Sequence, residues 1–237
     1  MPGLEVRGLD VAYGRRQVLS HVDLDVASGQ VVALLGNNGA GKTTVLRAVS
    51  GLTPASGGRI RFGGVDVTAS DTRARFDRGI VQMPAGRAVF PSMTVLDNLL
   101  VGCHRFAWER ERVGSRLEAV VSLFPRLGER LDQRAATLSG GEQHMLALAK
   151  ALLPEPKLLL IDELSLGLAH SVVAELLRVI AALARAGTSV VMVEQSATLA
   201  LSIAGHAVWL EKGEVSFAGT PADLLARRDL TGVPARP

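Results

Sequence analysis

The stretch Gly36-Asn37-Asn38-Gly39-Ala40-Gly41-Lys42-Thr43-Thr44 has the spacing G-x-x-x-x-G-K followed by Ser or Thr, which suits a loop that cradles phosphate. Its glycines let the main chain wrap closely around an anion, with successive N–H groups turned inward. The helix that follows adds favourable partial charge at its N-terminus. Lys42 can reach β- and γ-phosphates as a mobile point charge, and Thr43 can place its hydroxyl on Mg²⁺. The expected chemistry is nucleoside triphosphate binding. An apolar run, Val31–Leu35, precedes the loop as a buried strand, and Val45–Val49 follows it with helical spacing.

A second constellation is Leu158-Leu159-Leu160-Ile161 running into Asp162-Glu163. Carboxylates at the end of a buried strand are costly, and the C-terminal edge of a parallel sheet is where ligands bind. Asp162 can hold Mg²⁺ through water, and Glu163 can orient or polarise a water that attacks the γ-phosphate. A third is Leu138-Ser139-Gly140-Gly141-Glu142-Gln143. Ser139 is a good N-cap, and Gly140-Gly141 exposes backbone N–H groups, so this reads as a second anion site. It also reads as an ordinary capped helix with Glu142 closing a capping box. One chain does not readily bring two such helix ends onto one γ-phosphate, whereas two chains facing head to tail can.

The elements that must carry these groups follow from periodicity. Leu4–Arg7 and Val22–Val26 alternate as strands, with turns at Gly14 and Ser28-Gly29. Tyr13 stands just before the first turn, either as a strand-end residue or as a ring stacked on adenine. Arg59–Phe62 is a strand between glycine pairs. Ala69–Arg78 reads as a helix with its arginines and aspartates on a solvated face, and Gly79–Met83 as a buried strand. From Phe90 to Leu153 the pattern is helical: Thr94 caps one helix, Trp108–Phe124 forms another that Pro125 and Gly128 break, and a third begins near Ser139. Strands then alternate with helices: Lys157–Ile161, Ser171–Arg185, Ser189–Val193 and Ala197–Ile203. A hairpin follows around Lys212-Gly213, then a short helix from Pro221 and a loose tail over Val233–Pro237. Such alternation implies an α/β fold with a mostly parallel sheet.

The 237 residues are 48% hydrophobic and only 4% aromatic, enough for a sizeable aliphatic core. The net charge of +3 is weak evidence for nucleic acid, and there is no basic tract or heptad run. Cys103, the only cysteine, fits a reducing compartment and a small core residue. No apolar run approaches the ~18 residues of a membrane span, and the start lacks the regions of a signal peptide. A cytoplasmic protein that reaches membranes through partners is expected.

The three motifs, in this order, resemble the ATP-binding cassette of ABC transporters, and the resemblance covers essentially the whole chain. It implies one ABC ATPase domain over 1–237. Residues 1–84 and 154–237 would form a P-loop NTPase core with an N-terminal antiparallel β subdomain, and 85–153 an inserted α-helical signature subdomain. It implies ATP and Mg²⁺ as ligands, Tyr13 as the adenine-stacking aromatic, and a partner cassette whose Ser139 signature faces Lys42. Further segments are similar to the LivF-type cassettes of branched-chain amino acid importers: Pro84-Ala85-Gly86-Arg87-Ala88-Val89-Phe90-Pro91, Glu142–Ala147, Asp162–Ala169 and Val193-Glu194-Gln195. That resemblance implies two transmembrane permease subunits, a second, different cassette and a periplasmic or extracellular solute-binding protein, with no nucleic acid. The chain would sit on the inner face of the cell membrane through the permeases, with Val89, Phe90 and Met93 as candidate contacts or as core. Relatives that carry urea or short amides leave the solute open.

The sequence also departs from the pattern. Ala85 stands where most cassettes have Gln and this subfamily Glu, so a polar contact to Mg²⁺ and the attacking water is missing; Gln82 lies too early to replace it. Gln195 stands at the switch His and can hydrogen-bond γ-phosphate without carrying a proton. Ala169 replaces an Asp and Leu164 a Pro. Glu163 remains, so hydrolysis is expected, slowed by the loss at Ala85. A regulatory cassette that holds ATP and hydrolyses little is the alternative.

Overall fold

The computed structural model describes residues 2–86 and 88–227; Arg87 and the expected tail Val233–Pro237 lie outside the described residues. The chain opens with a long antiparallel pair, β1 (Pro2–Tyr13) and β2 (Arg16–Ala27). Along β2, buried Leu19, Val22, Leu24 and Val26 are separated by more exposed residues, the signature of a sheet with one wet face. Both strands outrun the short alternating stretches in the sequence. Register shifts between Val6 and Leu9 and between Leu9 and Val11 let β1 bend and continue.

β3 (Val31–Gly36) leads into α1 (Lys42–Ser50). β4 (Gly57–Phe62) and β5 (Val65–Asp66) complete a four-stranded antiparallel sheet in the order β2-β1-β4-β5. After α2 (Thr72–Asp77) and β6 (Ile80–Met83) comes the helical block: α3 (Val95–Gly102), α4 (Arg110–Leu123), α5 (Pro125–Gly128) and α6 (Gly140–Leu152). The chain then follows β7 (Leu158–Asp162), α7 (His170–Arg185), β8 (Ser189–Val193), α8 (Ala197–Leu201), β9 (His206–Glu211), β10 (Glu214–Gly219) and α9 (Pro221–Ala226). The second sheet has the order β10-β9-β3-β8-β7-β6; only the β9–β10 hairpin is antiparallel. This is the expected α/β architecture, with a mostly parallel sheet, an antiparallel N-terminal sheet and a helical insertion.

The central strands read as continuous apolar runs because both faces are covered. Val31, Ala33 and Leu35 of β3 pack with the helical block and α7, while Val32 and Leu34 pack with α1 and the antiparallel sheet. The neighbours β7 and β8 split in the same way. Each fully buried Val or Leu contributes about 1.5–3 kcal/mol. Parallel pairing also puts the ends of β3, β6, β7 and β8 on one edge, so the loops after them share one surface.

One expectation is corrected. Arg75 lies on no solvated face: it is only 2% exposed. Its guanidinium donates to Ala48 O and Val49 O at the C-terminal end of α1, and to Thr68 O and Ser70 O. The α1 carbonyls need donors and a helix C-terminus favours a cation, which offsets the burial. Pro125 ends the long helix as expected: α4 stops at Leu123, with Phe124 as its C-cap. It takes the N1 position of the one-turn α5, where a missing N–H costs nothing.

Candidate functional site

β3 ends at Gly36, whose φ of 147° has no room for a side chain: a Cβ there would meet the Leu210 carbonyl. Gly41, at φ 107°, is the N-cap of α1, and no side chain caps that helix. A Cβ at Gly41 would lie 2.6 Å from Leu19 Cδ2. Ala40 N donates to Asn37 O and Val45 N to Gly41 O, which close the loop. Gly213 N, in the β9–β10 turn, donates to Ala40 O and braces it from outside.

Lys42 is 6% exposed, and its ammonium donates to Gly36 O at 2.7 Å and Asn37 O at 3.0 Å. Burial pulls its pKa down, and Glu163 and Asp162 oppose that. Thr43 Oγ1 donates to Asp162 Oδ1 at 3.2 Å, joining the start of α1 to the end of β7. Asp162 is 2% exposed; burial pushes its carboxyl above the usual range, against the Thr43 bond. Glu163 follows with φ +50°, rare for a residue with a side chain. Its N–H donates to Val193 O, and its Oε1 accepts from Gln195 Nε2 at 2.7 Å. A cavity of about 240 Å³ is lined by Val18, Asn38, Gly39, Ala40, Gly41, Lys42, Thr43, Thr44 and Glu163.

Most of the candidates therefore meet at one edge. The structure keeps others apart. Ser139, Gly140, Gly141 and Glu142 do not line this cavity. They form the start of α6, where a capping box joins Ser139 N to Glu142 Oε2 at 2.8 Å and Glu142 N to Ser139 Oγ at 3.3 Å. Gln143 Nε2 donates to Ala135 O and Leu138 O and so holds the approach to Ser139. Tyr13 also stands outside the cavity lining, at the β1–β2 turn, 45% exposed with its hydroxyl 3.2 Å from Thr53 Oγ1. That bond draws the Tyr13 pKa down. Ala85 is exposed on the loop after β6. Cys103 is buried, as a small core residue would be, and burial raises its thiol pKa.

The loop after β6 borders a groove of about 460 Å³ whose lining includes Val89, Phe90, Phe76, Val101 and Ala147. Met93 is exposed but does not line it. Asn98, fully buried, bonds both the N–H and the C=O of Phe90. Lys150 of α6 donates to Ala88 O and lies 4.7 Å over the Phe90 ring. Sequence reasoning missed this clamp, the Gly213 brace and the buried Glu194. Each depends on residues far apart in the chain, and only the polarity of Glu194 after an apolar strand offered a local signal.

A glycine-rich anion loop on β3, with carboxylates at the end of a nearby parallel strand, defines a P-loop nucleoside triphosphatase. Residues 19–165 match the family model described as ABC transporter, and the chain belongs to that family. It is accordingly an ABC-type ATPase, an ATP-binding subunit of a transporter. It is 42% identical over 213 residues to the high-affinity branched-chain amino acid transport ATP-binding protein BraG of Pseudomonas aeruginosa, covering 90% of this chain and 91% of that one. It is 32% identical over 219 residues to a probable branched-chain amino acid transport ATP-binding protein LivF of Archaeoglobus fulgidus, covering 92% of each. Its fold is similar to that of cbiO1 from Clostridium perfringens, part of the transporter complex cbiONQ, with a TM-score of 0.87 at 22% identity, covering 96% of this chain and 92% of that one.

Proposed function

We propose that this chain powers an importer for branched-chain amino acids, or for similarly small polar solutes such as urea and short amides. The observation that carries the catalytic part is the convergence of Lys42, the Thr43–Asp162 pair and the Glu163–Gln195 pair at one sheet edge. The solute reading is supported by the LivF-like segments and by what the BraG and LivF relatives are named for.

The residues present fit Mg²⁺. Thr43 and Asp162 offer hard oxygen donors, and Mg²⁺ is usually held by one or two carboxylates together with phosphates and water. Among the described residues no cluster of three or more His, Cys, Asp or Glu forms an all-protein metal cage, which suits an ion brought with a nucleotide. When bound, Mg²⁺ neutralises charge on the phosphate oxygens. Lys42 turns from its loop carbonyls to the β- and γ-phosphates. Glu163, held by Gln195, orients the attacking water. Tyr13 stacks on the adenine, and the Ser139–Glu142 helix end completes the site of a second cassette facing this one head to tail.

No helix among the described residues is long and apolar enough to cross a membrane. In this reading, attachment to the inner face of the membrane runs through two permease subunits, with the groove beside Val89 and Phe90 as their seat. A solute-binding protein delivers cargo on the far side. A weakly hydrolysing cassette is the second reading, favoured by Ala85, whose methyl group can make no polar contact. The test is purification of the tagged protein with its partners from detergent-solubilised native membranes, followed by mass spectrometry. Two permeases, a distinct second cassette and a solute-binding protein are expected. Soluble partners or nucleic acid alone would overturn the transporter reading.

A further inference from the structure

Glu194 is a carboxylate only 1% exposed, and its hydrogen-bond partners are neutral groups, not cations. Ser165 N–H donates to its Oε1 at 3.0 Å and Ser165 Oγ to its Oε2 at 2.6 Å. Burial pushes the Glu194 carboxyl up, and the two Ser165 bonds and the Gln195 backbone N–H pull it back. Taking a carboxylate out of water is costly, and neutral donors offset that cost only in part. An apolar side chain would fill the site more cheaply.

The use of this group follows from what lies on either side of it. Glu163 N donates to Val193 O, Ser165 holds Glu194, and Gln195 Nε2 returns to Glu163 Oε1. The last residue of β8 and the two that follow it, Val193, Glu194 and Gln195, thus clip the turn after β7. Within that turn, Glu163 sits at φ +50°. A non-glycine residue there is strained and keeps that conformation only where its surroundings over-determine it. Without the clip, relaxation of the turn would swing the Glu163 carboxylate away from Gln195 and from the phosphate loop.

We propose that Glu194 is a positioning residue for ATP hydrolysis: through Ser165 it holds Glu163 in the strained turn that aims its carboxylate. The proposal rests on the reading of Glu163 as the residue that orients water. Glu194 does not line the cavity beside the phosphate loop and acts only through the turn.

The test is steady-state ATPase kinetics beside equilibrium binding of a fluorescent ATP analogue, on the parent protein and five variants. Glu194→Ala is expected to lower kcat by roughly 10- to 100-fold, with KM and analogue affinity changed less than about twofold, because a misplaced catalytic group slows turnover and leaves the phosphate loop intact. Glu194→Gln should restore most of kcat. Its amide oxygen accepts from Ser165 N–H and its NH₂ donates to Ser165 Oγ, so the clip reforms without the charge. Ser165→Ala should give an intermediate loss, and adding it to Glu194→Ala should cost nothing more, since the pair acts as a unit. If Glu194→Ala does not fold, Glu194→Gln and Ser165→Ala decide the matter. Full kcat in Ser165→Ala and Glu194→Ala, beside loss of turnover in Glu163→Gln, overturns the proposal alone. Kcat and analogue affinity falling together in step with melting temperature also overturn it. Full turnover in Glu163→Gln overturns the reading of Glu163, and the proposal with it.

Discussion

The two helix N-termini proposed to meet an anion are built differently. α1 starts at Gly41 in a left-handed conformation with no side-chain cap, so its first N–H groups are kept for a ligand. α6 starts at Ser139 with a closed capping box, and Glu142 brings a carboxylate onto the same N-terminus. The first leaves its N-terminal donors without a side-chain cap beside the cavity; the second satisfies itself. Such a division suits a site in which α1 holds a nucleotide throughout and α6 of a partner joins only on closure. The difference lies in which donors are spent, since both sequences are glycine-rich.

The widest expected separation lies at the α1 side. Lys42→Ala should weaken ATP binding by roughly 100-fold or more, because it removes the charge that reaches the phosphates. Glu163→Gln should leave binding near the parent value and lower kcat by on the order of 10²–10³-fold. Isothermal titration with ATP and a phosphate-release assay separate the two. Unchanged steady-state turnover in Glu163→Gln would remove that residue from its assigned role.

A second separation compares glycines. Gly41→Ala must hold φ near 107° and push against Leu19, which should cost about 1–3 kcal/mol of stability and disable the loop. Gly140→Ala meets no atom within 4 Å and has an ordinary helical conformation, so its melting temperature should stay within about 2 °C of the parent. Equal losses at both positions would mean that α6, too, is shaped by its backbone rather than by its cap.

The same contrast explains what could be read in advance. Gly36–Thr44, Ser139–Glu142 and Asp162-Glu163 were legible as candidates because each lies in one contiguous stretch: glycines before a helix, a cap with its box partner, and carboxylates after an apolar strand. The alternation of apolar runs likewise gave the parallel sheet and its hairpin edge. Arg75 was misplaced because its acceptors belong to α1, Thr68 and Ser70, and no local period separates a capping arginine from a solvated one. The Glu194–Ser165 clip and the Asn98–Phe90–Lys150 clamp were illegible for the same reason. They join segments that only the finished sheet brings together.

A third, smaller effect sits at the cap itself. Ser139→Ala leaves Glu142 N without its acceptor and should cost about 1 kcal/mol, measured by urea denaturation at pH 7. If stability is untouched, the box is not what satisfies this helix end, and the contrast with α1 narrows.

The smallest expected effect isolates the charge. The Ser139 N–H, then its hydroxyl and the nearby Arg130 and Arg126, hold Glu142 below the ordinary carboxylate value of 4.5, against desolvation. Between that value and the lowered one, the unfolded chain binds more protons, so stability rises with pH. This contribution is fully present above 4.5 and is lost as pH falls through the lowered value. Glu142→Gln keeps a capping box, which accepts Glu or Gln alike, and gives up only the charge near the helix N-terminus and Arg130. At pH 7 it should therefore cost about 0.3–1 kcal/mol. In urea titrations run at falling pH, the deficit should shrink and vanish once Glu142 itself is protonated. A deficit that stays constant into acid would show that geometry alone closes the box. The difference between the two helix ends would then lie in loop shape, and the carboxylate at α6 would have no electrostatic part in keeping that end closed.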